Sequence, residues 1–203
     1  MTGAKPLDVS RETMERLTIY SNLLAKWNPR INLVAKSTLN DLWQRHVVDS
    51  AQLYGLVPHP VDHWADLGSG GGFPGLVIAI MGMEHGSPNR VTLVESDARK
   101  CAFLRTVIRE TGVKAAVITE RIENTTALDC DVLSARALAK LSTLLSFAER
   151  HMQPNGTALF PKGETWKKEL EEAQQTWKFE HQVARSQTED GPVVLSIAGV
   201  TRV

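Results

Sequence analysis

Cysteine is scarce in this chain: two of 203 residues, Cys101 and Cys130, with no partner at metal-ligand spacing. That argues against a disulfide framework and predicts reduced thiols in a cytosolic protein. An excess of one charge is also lacking, because 23 Lys and Arg balance 23 Asp and Glu for a net charge of +0. Nothing global therefore attracts a polyanion or a membrane surface, and any such contact needs a local basic patch. No apolar run approaches membrane-spanning length, and the N-terminus lacks the apolar core of a signal peptide, so a soluble, cytoplasmic protein is expected. Internal repeats and low-complexity segments are missing too. What is present, 42% hydrophobic residues, suffices to bury a core in one domain with an N-terminal extension.

The chain is organised around Trp64-Ala65-Asp66-Leu67-Gly68-Ser69-Gly70-Gly71-Gly72-Phe73-Pro74-Gly75. Apolar residues lead into an acid, then into a run of glycine, and an apolar helix-forming run from Leu76 to Met81 follows. The order predicts strand, tight turn and helix. A turn this rich in glycine costs backbone entropy unless something must come close to the main chain. Such a turn is expected to aim backbone N–H groups and a positive helix end at a bound, nucleotide-like ligand.

Before this stretch, residues 1–8 are polar and expected to fray. Ser10 caps a helix whose face carries Met14, Leu17, Tyr20, Leu24 and Trp27, with Glu12 near its start. Asn28-Pro29 should end it. Lys36-Ser37-Thr38 is a polar break, and a second helix is expected from about Leu39 to Tyr54, with Leu42, Val47, Ser50 and Leu53 inward. Gly55, Pro58 and Pro60 make a linker, which sets residues 1–60 apart as a helical extension from a domain at 61–203. Strands are predicted at 62–67, 90–95, 115–119, 130–135, 156–161 and 192–200, and helices at 74–82, 97–111, 138–151 and 164–176. This alternation predicts an α/β fold of βαβ units around a mostly parallel sheet. The turn Asp190-Gly191-Pro192 between Trp177–Arg185 and Val193–Val200 predicts a terminal hairpin with an antiparallel strand at the sheet edge, seven strands in all.

The glycine loop alone does not choose the nucleotide. It contains a G-x-G-x-x-G match at Gly70, Gly72 and Gly75, which would suit NAD. Two details favour S-adenosylmethionine, a nucleoside cofactor without phosphates, and a third supports a nucleoside. Asp66 ends the first strand where a carboxylate would sit beside a cationic or amine-bearing ligand and repel a pyrophosphate. Pro74 suits the first turn of a helix rather than a phosphate wrap. Glu95 ends the next strand, placed to accept both hydroxyls of a ribose; nicotinamide cofactors use a similar acid, so it supports a nucleoside without choosing between them.

Several motifs, taken in order, resemble a known family. They are Leu23-Leu24 through Trp27-Asn28 to Asn32-Leu33, then Arg45-His46 with Asp49-Ser50, then the loop Asp66 to Gly70 with Gly72-Phe73-Pro74-Gly75. Leu93-Val94-Glu95-Ser96, Arg99-Lys100 with Phe103-Leu104-Arg105, Arg121-Ile122-Glu123, Ser134-Ala135-Arg136-Ala137 and Lys162-Gly163 complete the set. On these residues the chain resembles the bacterial small-subunit ribosomal RNA guanine-N7 methyltransferase G family, also called the glucose-inhibited division protein B family. The resemblance covers about Leu23 to Gly163. It implies a class I S-adenosylmethionine-dependent methyltransferase fold, Rossmann-like, and methylation of N7 of one guanine in the decoding-region loop of 16S ribosomal RNA. It also implies cofactor contacts at Gly68, Phe73, Ile122, Glu123 and Arg136, with Ile122 and Glu123 flanking the adenine. The chain departs from the family at Glu120, where a small residue is usual.

Guanine N7 has a lone pair and no proton to lose, so no general base, triad or metal is expected, and catalysis would rest on proximity and orientation. His59 and His63 are four apart with Pro60 between them, which argues against ligation. A base held for reaction lies outside its stack, gripped by aromatic or guanidinium planes. Arg136 and Ser134, at the C-terminal end of the fourth strand, are candidates to hold it, although Arg136 would also suit a structural salt bridge. Lys162 closes the fifth strand and would meet phosphate or guanine O6, or be an ordinary solvated lysine. Phe73 fits a core role and a cofactor-stacking role equally. His46 and Asp49 share a helix face, either docking the extension or standing at the pocket mouth. Together with Gly70, Asp66 and Glu95 at the cofactor, these are the candidate site residues. Lys26, Arg30, Lys36, Arg45, Arg99, Lys100 and Arg105 are candidates for the RNA-binding patch, whereas Lys162, Lys167 and Lys168 are offset by neighbouring acids as helix-surface pairs. Two rivals remain open. One is an NAD-dependent oxidoreductase, and the other is a non-catalytic RNA-binding assembly factor with a vestigial cofactor site. A monomer is expected.

Overall fold

Strands and helices alternate through most of the chain because its apolar pattern switches between the two periods. The computed structural model describes residues 7–203. Seven strands form one sheet in the order β3-β2-β1-β4-β5-β7-β6. They are β1 His63–Leu67, β2 Arg90–Val94, β3 Ala115–Ile118, β4 Cys130–Ser134, β5 Met152–Lys162, β6 Trp177–Arg185 and β7 Val193–Arg202. Strand β1 pairs in parallel with both β2 and β4. The chain thus runs outward from β1 to β3 and then returns to the other side of β1 at β4. That reversal opens a crevice at the C-terminal ends of β1 and β4, where open α/β sheets bind ligands. The one strand running against the rest is β7, antiparallel to β5 on one side and to β6 on the other. It lies at the expected end of the sheet, just inside β6.

The helices are α1 Arg11–Ile31, the single turn α2 Asp49–Ala51, α3 Gly75–His85, α4 Ala98–Thr111, α5 Leu141–His151 and α6 Trp166–Gln174. All five residues of β1 are buried, as a strand covered on both faces requires. Trp64 belongs to the core shared with α1 and α3, while Ala65 and Leu67 belong to the core under α5. Helix α3 is buried along its whole apolar run, Leu76 to Met81. It is apolar on every side because α1 and the sheet cover opposite faces of it.

The N-terminal region differs from its sequence reading in three ways. The expected fraying of residues 1–8 lies, for 1–6, outside the described residues, and Leu7 packs partly buried against the core. Helix α1 does not stop at Asn28-Pro29 but runs through Pro29 to Ile31, ending at Asn32 in the left-handed region (φ 51°). Asn28 acts one turn later instead, its buried Oδ1 accepting the N–H groups of Leu33 and Val34 at 2.8 Å each. The second helix is not one α-helix: a 3₁₀ turn at Lys36–Asp41 is followed by a π turn at Trp43–Val48, α2, and a 3₁₀ turn at Gln52–Leu56. Leu42, Val47, Ser50 and Leu53 are nonetheless all buried. The π turn widens the helix where His46 sits, and such turns are common at functional sites.

Candidate active site

The glycine loop is pinned from both sides. Gly68 and Ser69 donate to Val94 O at 2.8 and 3.1 Å, Gly70 donates to Glu95 Oε2 at 2.9 Å, and Gly72 donates to Ser69 O at 2.6 Å. From α1, Tyr20 donates its hydroxyl to Gly71 O at 2.5 Å. Gly68 and Gly72 hold φ of +66° and +94°, values a side chain resists. A Cβ on Gly68 would also lie 2.6 Å from Leu138 Cδ1. The expectation that this turn aims its N–H groups at a ligand is corrected for four of them: β2 takes those of Gly68 and Ser69, the Glu95 carboxylate takes that of Gly70, and Ser69 takes that of Gly72. Such a loop suits a ligand without phosphates.

Two cavities of about 610 and 430 Å³ open beside the loop and share Gly68, Gly70, Arg136, Ala137 and Ala139. The smaller is lined by Glu95, Ile122, Glu123 and Phe147. Glu95 accepts Gly70 N–H through one oxygen and Asp97 N–H, at 2.8 Å, through the other. A carboxylate has about four acceptor positions, so two remain, the number a ribose diol uses. Ile122 is buried and packs into the core under α5, an apolar surface for a flat base. Glu120 is exposed at this cavity's rim beside Arg121. These residues fit an adenosine moiety, with the shared wall left for the amino-acid end.

The larger cavity is walled by Phe73, His46, Asp49, Arg136 and Lys162. Phe73 fits the core role: its buried ring packs 5.1 Å from that of Tyr20 and stacks on His46 at 5.1 Å and 28°. Arg136 lies 5.1 Å over the same ring. Its Nη1 meets Asp49 Oδ2 and Arg45 O, each at 3.3 Å, and its Nη2 meets His46 Nδ1 at 2.9 Å. Arg136 thus makes the structural salt bridge and also faces the cavity. Guanidinium only donates, so His46 Nδ1 accepts and its proton sits on Nε2, which lies 2.8 Å from Thr38 Oγ1. Burial, then the Arg136 and Arg45 cations, push the His46 pKa down to about 4, so the ring is neutral at pH 7. His46 and Asp49 dock the extension on the turn after β4 through Arg136 and also line the larger cavity.

Three expectations are corrected. Ser134 does not face a base, for it is fully buried, accepting Trp64 Nε1–H at 2.9 Å and donating to Asp66 Oδ1 at 2.7 Å. Asp66 lines neither cavity and is fully buried against the far side of the loop. Burial lifts its pKa to about 6, although Ser134, Ser69, Gly75 and Arg136 act to lower it. Lys162 is neither solvated nor part of a helix-surface pair. Its side chain, 8% exposed, donates to Ala139 O at 2.9 Å and to Glu169 Oε2 at 2.8 Å. Glu169 also accepts Leu141 N–H at 2.9 Å, so the pair clamps the turn after β4 that carries Arg136.

Of the basic candidates, Arg99 pairs with Asp97 and Arg105 binds Val117 O and Thr119. Arg45 pairs with Glu189. His59 and His63 point apart, to Ser87 and to Thr92, and no cluster of three metal-ligating side chains occurs among the described residues. Sequence reasoning missed Thr38, Gln52, Thr188 and Glu189. The last two lie on the β6–β7 loop, and Thr188 donates to Asp49 Oδ1 at 3.1 Å across 139 positions. No local pattern carries a contact of that separation.

A family model described as rRNA small subunit methyltransferase G (GidB) matches residues 13–191. A protein of Ruegeria sp. (strain TM1040), described as ribosomal RNA small subunit methyltransferase G, is 54% identical over 201 residues, covering 99% of this chain and 98% of that protein. Among solved structures, the ribosomal protein L11 methylase of Lactobacillus delbrueckii subsp. bulgaricus aligns with a TM-score of 0.58 at 17% identity, over 74% of this chain and 78% of its own. A mutant of MtNAS in complex with S-adenosylmethionine aligns with a TM-score of 0.62 at 14% identity, over 92% and 76%. At these identities the two structures establish the fold, that of class I S-adenosylmethionine-dependent methyltransferases.

Proposed function

This chain belongs to the rRNA small subunit methyltransferase G family, and from that membership we propose that it methylates N7 of one guanine in the decoding-region loop of 16S ribosomal RNA. The enzyme is a methyltransferase and its cofactor is S-adenosylmethionine. The observation that carries the reading is the meeting of two cavities at Gly68, Gly70 and Arg136. One has the acceptors and apolar floor of a nucleoside site, and the other is walled by an aromatic ring and a guanidinium.

When bound, the cofactor supplies a methyl group made electrophilic by a sulfonium. Glu95 holds the ribose hydroxyls, Ile122 and Glu123 flank the adenine, and Gly68 and Gly70 let the amino-acid end lie against the main chain. Arg136, backed by the buried Phe73 ring, offers a guanidinium plane against which the guanine settles. His46 and Asp49 fix the Arg136 guanidinium from the extension, and Lys162 fixes its turn or reaches guanine O6. The acceptor nitrogen has no proton, so the transfer draws on alignment rather than on a base.

The N–H groups of Gly68, Ser69, Gly70 and Gly72, already taken by β2, Glu95 and Ser69, count against an NAD-dependent oxidoreductase, which would need them for pyrophosphate. The extension through residue 60 is assigned to the RNA side and residues 61–203 to the cofactor. A single chain walls both cavities, which supports action as a monomer. Among the described residues no helix is long and apolar enough to cross a membrane, in keeping with work on ribosomal RNA in the cytoplasm. The test is transfer of label from S-adenosylmethionine to small-subunit RNA or particles from a strain lacking the enzyme, mapped by N7-specific cleavage. One labelled guanine in the decoding region is expected; cofactor binding without transfer refutes the assignment. A non-catalytic assembly factor would keep its cellular role when Gly68 is replaced, and the enzyme would lose it.

A further inference from the structure

We propose that Arg45 is a phosphodiester-binding site for the RNA strand entering the larger cavity, and that Glu189 of the β6–β7 loop caps it in the free protein. The proposal rests on the reading of ribosomal RNA as the substrate. Arg45 Nη2 lies 2.8 Å from Glu189 Oε1, with the two side chains 44% and 40% exposed, and both residues line the larger cavity. An exposed pair of this kind adds little to stability, so exchange of one anion for another at Arg45 costs little. A guanidinium takes a phosphate as readily as a carboxylate.

The loop carrying Glu189 is tied to the extension at two further points that do not involve Arg45. Gln187 N–H donates to Gln52 Oε1 at 3.0 Å, and Thr188 Oγ1 donates to Asp49 Oδ1 at 3.1 Å. Release of Glu189 therefore frees Arg45 while the loop stays anchored. A strand that delivers one base beside Phe73 must lay its backbone across the cavity rim, where the Arg45 side chain stands. The Arg45 backbone also holds Arg136 through its carbonyl oxygen, so the residue that would meet the phosphate contacts the guanidinium facing the base. In a chain with no net charge, masking this cation until a polyanion displaces the carboxylate keeps indiscriminate anion binding low.

The test measures KM for small-subunit RNA, kcat, and KM for S-adenosylmethionine in Glu189→Gln, Arg45→Gln, the double variant, and Glu172→Gln as a control on the outer part of α6. Glu189→Gln is expected to lower the RNA KM about two- to fivefold, the range of an exposed ion pair, with kcat and the cofactor KM unchanged. Arg45→Gln should raise the RNA KM and flatten its dependence on salt. With Arg45 absent, Glu189→Gln should have no effect. An unchanged or raised KM in Glu189→Gln overturns the proposal. So does a gain that persists without Arg45, or an equal gain in Glu172→Gln. A wild-type protein that transfers no methyl group to small-subunit RNA refutes the substrate reading and the cap with it, whereas transfer without the Glu189→Gln gain refutes the cap alone.

Discussion

Replacing Asp66 by Asn should make the protein more stable relative to wild type as pH rises from 4 to 7. In the folded state the Asp66 pKa is raised from 3.8 to about 6, first by burial. A raised carboxylate pKa means that the folded chain holds a proton which the unfolded chain releases between those two values. Stability is therefore lost as pH rises through the window, by about 3 kcal/mol at 1.36 kcal/mol per unit. Asn does not titrate and can still accept from Ser134, so the variant escapes that loss. His46 works in the opposite sense. Its folded pKa is lowered from 6.5 to about 4, so the unfolded chain binds a proton that the folded chain refuses. That contribution is full above the unfolded value and is lost as pH falls, again by about 3 kcal/mol. The two effects oppose each other between about pH 4 and 6 and largely cancel in the wild type. Urea unfolding from pH 4 to 8 separates them: Asp66→Asn should gain on wild type toward neutral pH, and His46→Gln should gain toward acid. A difference that stays constant with pH in either variant would refute the buried-group reasoning for that residue.

Gly68→Ala should lower activity by at least tenfold with a raised cofactor KM, because a methyl at φ +66° meets Leu138 and backbone strain of about 1–3 kcal/mol must relax at the shared wall; initial rates against cofactor concentration check this. Lys162→Met should destabilise by about 3 kcal/mol or more, since Glu169 is left partly buried without its partner, and Lys162→Met with Glu169→Leu should recover most of the loss in thermal unfolding. If Lys162 also contacts the acceptor base, the double variant recovers stability but not kcat. Tyr20→Phe removes the hydroxyl that holds Gly71 O and should cost about 1–2 kcal/mol in chemical unfolding, with a raised cofactor KM as the loop loosens.

Strand and helix assignments from 62 onward were legible because each segment keeps one period and is closed by recognisable ends, such as Asp97 before α4 and Gly112 after it. The N-terminal region was less legible. Pro29 is tolerated inside α1, and the capping role of Asn28 depends on Leu33 and Val34 folding back over it. The π turn at Trp43–Val48 has no pattern of its own, because its inward residues keep nearly helical spacing. Of the residues that line the two cavities, Glu95, Ile122, Phe73 and Arg136 were legible as single positions, but their partners were not. Whether a carboxylate such as Asp66 faces a ligand or the back of a loop depends on which side of β1 is covered, and the chain fixes that only when it packs.

By itself the sequence determined the order of elements, the glycine loop at the first strand, and the acids and guanidinium at the strand ends. Those features are local, set by backbone freedom, apolar period and short spacing. Tertiary structure alone decided that the loop would spend its own N–H groups on β2 and Glu95. It likewise buried Lys162 against Glu169 and brought a distant hairpin loop to Asp49 and Arg45. These outcomes depend on partners that come together only as the sheet closes. A side chain's charge is written in the sequence, but its neighbours, and so its chemistry, are set by packing.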